Sequence, residues 1–231
     1  MPSNLMINMS LINRLTLHGW LALILLGAGF MHASTAHAEL APDQMIQGVT
    51  DRVLQRLKVE KSELDAHPER VYAFANELAD EFILPHYDFE GMSRWILGRN
   101  WRSANEEQRL RFQDEFRHML VNTYATALLN YSDQEIVFLP YRPDPNDDQR
   151  ALVRAEFRPS GAPAIPIVYS LHRASEGWKV YDVAIDGISL VTTYRSGYAT
   201  EIRNHGIDGL LQKMADKNRS QAAAQAVVSN Q

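Results

Sequence analysis

The stretch that decides the fold is Trp178–Tyr194, WKVYDVAIDGISLVTTY. Its first half alternates as a strand does, with Lys179, Tyr181, Val183 and Ile185 on one face and Trp178, Val180, Asp182 and Ala184 on the other. Asp186-Gly187 then breaks the alternation, and Ile188, Leu190 and Val191 carry the apolar content past the break. Asp before Gly reads as a turn or helix-capping residue. Greasy segments on both sides of a corner serve either a sealed core or the wall of a hollow. The residue types are the same for both, so the stretch alone leaves the choice open.

Upstream of this corner the period stays at two. Residues 136–139, 151–157, 165–171 and 178–185 are predicted strands. RPDPNDDQ (142–149), PSGAP (159–163) and ASEG (174–177) mark the turns between them. Strands joined by such short polar turns make an antiparallel meander.

Helical spacing governs the first half of the chain. Ile46, Val49, Val53 and Leu57 form one stripe, and Val71, Phe74, Ala75, Leu78 and Phe82 another. Pro68 suits a first helical turn and Pro85 closes the second helix. FEGMSRWILGRNW (89–101) reads as a short apolar linking segment of one or two helical turns, ended by Gly98. Ser103 and Glu106 fit a capping box that opens the longest helix, expected to run to about Tyr131. Its buried stripe is predicted to be Phe112, Phe116, Met119, Leu120, Thr123 and Ala127. Glu106, Arg109, Asp114, Glu115 and Arg117 read as its solvated face.

Past Asp186-Gly187 the helical pattern returns over residues 190–205 and 207–217, split by Gly206. Residues 218–231 lack a stripe and are expected to be a flexible tail. Helices, an antiparallel sheet and helices again give an α+β fold, with a twisted four-stranded antiparallel sheet wrapped by helices. Residues 39–217 are expected to form a single domain.

Residues 1–38 carry Arg14 as their one charge, an apolar run from Gly19 to Met31, and the small-x-small pair Ala36 and Ala38. This is the pattern of a cleaved signal peptide, the run being short for a span of roughly 20 residues. An uncleaved anchor and a start at Met6 or Met9 are the alternatives. The chain has no cysteine, so neither a cysteine-linked lipid anchor nor a disulfide is open to it. Without Arg14, 22 Lys and Arg stand against 28 Asp and Glu, a balance of −6. That argues against nucleic acid as a partner and against standing adhesion to an anionic membrane. The expected compartment is the periplasm.

Motifs for chemistry are missing. His67, His86, His118, His172 and His205 show no metal-ligand spacing, and no metal is expected. No nucleophile elbow, phosphate loop or dinucleotide fingerprint occurs. Asp182 and Asp186 are the carboxylates nearest the corner; they read as structural, with a proton-transferring pair as the enzymatic alternative. Tyr124, Tyr131, Tyr141, Tyr169, Tyr181, Tyr194 and Tyr198 combine apolar bodies with polar tips, which suits the rim of an oily cavity or ordinary half-buried positions.

YDVAIDGISLVTTYRSGYATEIRNHGIDGLL (181–211) resembles the C-terminal signature of the MlaC (toluene-tolerance) family. FILPHYDFEGMSRWILGRNWRSANEEQRLRFQDEF (82–116) and LVNTYATALLNY (120–131) extend the resemblance over the chain after the signal. It implies a fold similar to the nuclear-transport-factor cone, enclosing a lipid pocket, in a periplasmic phospholipid carrier that is no enzyme and uses no cofactor. Its implied partners are an outer-membrane lipoprotein–porin complex and an inner-membrane MCE-domain protein with its ABC transporter, and its implied role is outer-membrane lipid asymmetry. It is expected to act as a monomer with phospholipid as cargo. On this reading Leu97, Phe116, Leu120, Tyr124, Phe138, Val153, Val168, Val183, Ile188, Val191 and Tyr194 are the candidate lipid-binding residues, each either lining the pocket or sealing the core behind it. Asp186, Gly187 and Gly206 are the candidate hinges, and Val191→Trp is the substitution expected to fill the hollow. An enzyme on the same fold and a pure adaptor between membrane complexes remain as competitors.

Overall fold

The computed structural model describes residues 40–129 and 134–228, without the side chains of 126–129 and 223–228. The expected signal peptide and Tyr131 lie outside these residues. Helix α1 (Pro42–Ala66) opens on a proline at its first position, where the missing N–H is no loss. Leu57 and Leu64 of α1 close against Val71, Phe74 and Leu78 of α2 (Val71–Leu78) to form a small core. The helix then widens into a π turn at Ala79–Ile83 and tightens into a 3-10 turn at Leu84–His86, which carries Pro85.

The linking segment is a full helix, α3 (Phe89–Leu97), capped by Asp88, whose Oδ1 accepts Gly91 N–H at 2.8 Å. A single turn, α4 (Asn100–Ser103), follows. The expected capping box moves by two residues. Asn105 and Gln108 satisfy each other's backbone N–H at 3.0 and 2.8 Å, while the Ser103 hydroxyl bonds back to Asn100 O. They open α5 (Glu106–Leu129). On its predicted stripe Phe112, Phe116 and Met119 are buried, Leu120 is half-buried and Thr123 is exposed.

The sheet has five strands, not four: β1 (Glu135–Phe138), β2 (Arg150–Arg158), β3 (Ile165–Ala174), β4 (Gly177–Ile185) and the two-residue β5 (Ile188–Ser189). They pair in chain order, all antiparallel. Asp186 and Gly187 form the two-residue turn between β4 and β5, with φ of 52° and 76°. Positive φ at both central residues is what this tight hairpin requires, and Asp-Gly is a favoured pair for it.

Strict alternation along β4 fails at one residue. Ser170 pairs with Asp182 but Leu171 pairs with Val180, so Tyr181 is an extra residue, a β-bulge. Trp178 and Val180 therefore share a face with Val183 and Ile185, against the alternation that separates them. The Tyr87–Asp88 segment lies along β4 here: Asp88 N–H donates to Val180 O at 2.8 Å, and Asp88 Oδ2 is 3.0 Å from His172 Nε2.

Helix α6 (Leu190–Val228) starts directly after β5. Ser189 Oγ accepts Thr192 N–H and Asp182 Oδ1 accepts Val191 N–H, both at 3.1 Å, so two of its free N-terminal donors are met by side chains. Asp182→Ala is expected to cost about 1 kcal/mol, measured as a lowered urea midpoint at unchanged slope. The helix breaks at Gly206 (φ 72°, ψ 176°), a conformation suited to glycine. Glu201 binds His205 on its own side of the break at 2.8 Å, and spans the break to Lys213 at 2.5 Å. Within the expected tail, helix continues from Asn218 to Val228, residues 229–231 lying outside the described residues, and Asn218 is buried with its amide donating to Glu115 O and Oε2 at 2.9 and 2.7 Å. Among the described residues no helix is long and apolar enough to cross a membrane.

Candidate functional site

Cross-strand register builds one wall of the site. Directly opposed residues of antiparallel strands face the same way. Phe138, Ala155, Ile167, Ile185 and Ile188 thus form one row, and Val153, Tyr169 and Val183 the next. Toward β1 and β2 these rows are closed by Met45, Ile46 and Val49 of α1. Toward β4 they are not closed, and a cavity of about 320 Å³ lies there.

The sheet contributes Ile167, Tyr169, Val183 and Ile185 to the cavity wall. Helix α2 and the π turn contribute Ala75, Leu78, Ala79 and Ile83. Arg117, Leu120, Val121 and Tyr124 come from α5 at spacings of three, four and seven, which places them on one helical face. Val53, Leu84, Tyr87, Phe89, Met92, Ala125 and Leu190 complete it. Arg117 is the one charged residue among these. A second space of about 160 Å³ shares Val53, Ile83, Tyr87 and Tyr169 with the first and reaches Ile46, Leu54, His86 and Ile136.

Three polar groups in these walls, Tyr169, Tyr87 and His86, are disfavoured from ionising. Burial pushes the Tyr169 hydroxyl up to about 12. Burial, and then the neighbouring Tyr169, pushes Tyr87 higher still. Burial first, and then the positive charges of Arg52 and Lys179, lowers His86. Ionising a group in an apolar wall is disfavoured in each case. Among the described residues no group of three or more His, Asp or Glu is placed to hold a metal.

Of the candidate lipid-binding residues, Leu120, Tyr124 and Val183 line the cavity. Leu97, Phe116 and Val191 are instead packed in a closed core between α3, α5 and α6, with Tyr194 half-buried against it. Val153 is buried in the core under α1, and Phe138 packs on its edge. Val168 pairs with Arg154 and Ala184, which puts it on the opposite face of the sheet. Ile188 is on the edge strand and 63% exposed. The remaining wall residues are absent from the candidate list, Ile167 and Ile185 of the inner rows, Val121 and Arg117 among them; Tyr169 entered only as one of several tyrosines suited to a rim. The α5 face was readable from the spacing of Leu120, Val121 and Tyr124; Arg117 completes that face although its charge assigns it to the solvent side.

An open antiparallel sheet with helices packed against it and an apolar hollow between them defines an α+β protein. The family follows from the sequence: residues 47–216 match the family model described as MlaC protein, and the chain belongs to this family. It is 30% identical over 172 residues to the toluene tolerance protein ttg2D of Pseudomonas putida, covering 74% of this chain and 77% of that one. Over 205 residues it is 25% identical to the intermembrane phospholipid transport system binding protein MlaC of Haemophilus influenzae, covering 87% and 91%. A solved structure, the phospholipid-binding protein from Ralstonia solanacearum in complex with a phospholipid, matches with a TM-score of 0.71 at 30% identity. The match covers 79% of this chain and 99% of that one.

Proposed function

We propose that this protein is a periplasmic phospholipid carrier that takes lipid between an outer-membrane lipoprotein–porin complex and an inner-membrane MCE-domain protein with its ABC transporter, in the service of outer-membrane lipid asymmetry. The observation that carries the reading is the apolar cavity between the inner rows of the sheet and the face of α5 that holds Leu120, Val121 and Tyr124. Family membership and the phospholipid bound by the Ralstonia neighbour support it. The pattern of residues 1–38 supports export, and the partners rest on the family resemblance.

Roughly thirty acyl methylenes at about 0.8 kcal/mol each gain on the order of 25 kcal/mol on leaving water. A phospholipid crossing an aqueous space therefore needs a container. A bilayer offers nearly the same gain, so the container fills and empties only at complexes that present and accept the lipid, and its walls must part. Asp186-Gly187 and Gly206 are the hinges we propose; the Glu201 contact with Lys213 is what would have to give at the second.

Carrier function without catalysis is part of the proposal. It is supported by the lack of a carboxylate among the described residues of the cavity wall and by the use of Asp182 as a cap for α6. Protein purified without detergent and extracted with organic solvent is expected to release stoichiometric phospholipid. Recovery of none would overturn the carrier reading.

A further inference from the structure

Arg117 stands in a wall that is otherwise uncharged. Its Nη2 donates to Asp80 Oδ1 at 2.7 Å, reaching from α5 to the π turn. Arg117 is 20% exposed and Asp80 is 60% exposed, so the pair lies at the water-facing rim. Asp80 Oδ1 is the one acceptor the described residues give Arg117. A guanidinium has five N–H donors in a planar fork, and a single-point bond to a carboxylate leaves most of them unused.

As a structural strap the pair is weak. Exposed ion pairs are worth about 0–1 kcal/mol, and this one lacks the two-point geometry that strengthens arginine–carboxylate contacts. The π turn is itself a rare conformation that concentrates at functional sites, and its Ala79 and Ile83 lie in the cavity wall while Asp80 turns to the rim. A guest whose hydrocarbon fills the apolar part of the cavity brings its polar end to such a rim. A phosphodiester there meets a guanidinium with donors to spare, the geometry at which arginine excels. The carboxylate beside it then faces whatever the phosphate bears, attracting an ammonium and repelling an anion.

We propose that Arg117 anchors the phosphate of a glycerophospholipid and that Asp80 makes the rim favour a zwitterionic, ammonium-bearing head group over an anionic one. This rests on the carrier reading and adds a head-group preference to it. Inorganic phosphate shares the anchoring chemistry but not the hydrocarbon, so it is not the expected ligand.

The test mixes delipidated protein with equimolar dioleoyl phosphatidylethanolamine, dioleoyl phosphatidylglycerol and dioleoylglycerol dispersed in detergent, which stands in for a presenting complex, removes the detergent, then quantifies bound lipid by mass spectrometry. The unaltered protein is expected to rank them in that order. Arg117→Gln is expected to reduce the enrichment of both phospholipids over dioleoylglycerol about tenfold, and Arg117→Lys to restore part of it. Asp80→Asn is expected to raise phosphatidylglycerol against phosphatidylethanolamine a few-fold, less so at high salt. If Arg117→Gln does not fold, Arg117→Lys and Asp80→Asn carry the test. Unchanged ratios in the folded variants, or displacement of lipid by millimolar inorganic phosphate, overturn the proposal while the carrier reading stands. If the unaltered protein takes up no lipid of any kind, the carrier reading is what fails.

Discussion

Val183→Trp is expected to give a folded protein that carries no phospholipid. Val183 lies in the row with Val153 and Tyr169, is 8% exposed, and faces the cavity beneath α5. An indole there projects into a space of about 320 Å³. Overpacking costs typically about 1–3 kcal/mol, and less where a hollow receives the added atoms, so a domain stable by about 5–15 kcal/mol survives. Loading does not survive, because cavity and bilayer compete almost evenly for the same acyl chains. Roughly four methylenes that the cavity can no longer cover shift that balance by about 3 kcal/mol, more than a hundredfold. Organic extraction followed by phosphate determination measures the loss, and circular dichroism with a urea titration confirms the fold. Val191→Trp is the contrasting variant. Val191 belongs to the closed core with Leu97 and Phe116, so its replacement strains the core without entering the hollow. Stoichiometric lipid in folded Val183→Trp would remove this cavity as the cargo site.

The corner at Asp186-Gly187 was legible because it is local chemistry: two residues at positive φ, with Ile185 and Ile188 paired across them. The bulge at Tyr181 was not. It is imposed where Ser170 and Leu171 meet β4, and nothing in the alternation of β4 alone registers a partner strand. A similar limit moved the capping box. Ser103–Glu106 and Asn105–Gln108 both match the pattern, and the extra turn of α4 decides between them. Residues 218–231 lack an apolar stripe, and the bonds from Asn218 to Glu115 are polar contacts that periodicity does not register.

The cavity was legible in part, for a different reason. Leu120, Tyr124 and Val183 were named on the family reading, and Leu120 alone of the three lay on the predicted helical stripe; spacing does not say which apolar face meets a neighbour and which meets a void. Phe116 and Leu120 illustrate this. They are four residues apart on α5, yet Phe116 meets Phe112, Phe89 and Tyr194 while Leu120 reaches the hollow. Arg117, between them, is misassigned by charge alone, since a long stem can lie in an apolar wall while its head reaches water.

Phe116→Ala is expected to destabilise the domain by about 3–5 kcal/mol while leaving the lipid content of the folded fraction unchanged. The ring is fully buried. It stacks on Phe112 at 5.8 Å with 9° between planes, and meets Tyr194 edge-on at 5.2 Å and 81°. Phe89 from α3 lies 5.8 Å away, so this one side chain joins α3, α5 and α6. Truncation removes aromatic contacts to all three helices and leaves a void that a rigid aromatic cluster closes poorly. The measurement is a urea midpoint lowered at unchanged slope, since loss of packing alters stability without altering the surface exposed on unfolding. Because Phe116 is absent from the cavity wall, the variant that still folds at low temperature should extract with the same phospholipid content as the unaltered protein. The opposite pattern, a small midpoint shift with lost lipid, would return Phe116 to the cargo site and place the hollow on the other side of α5.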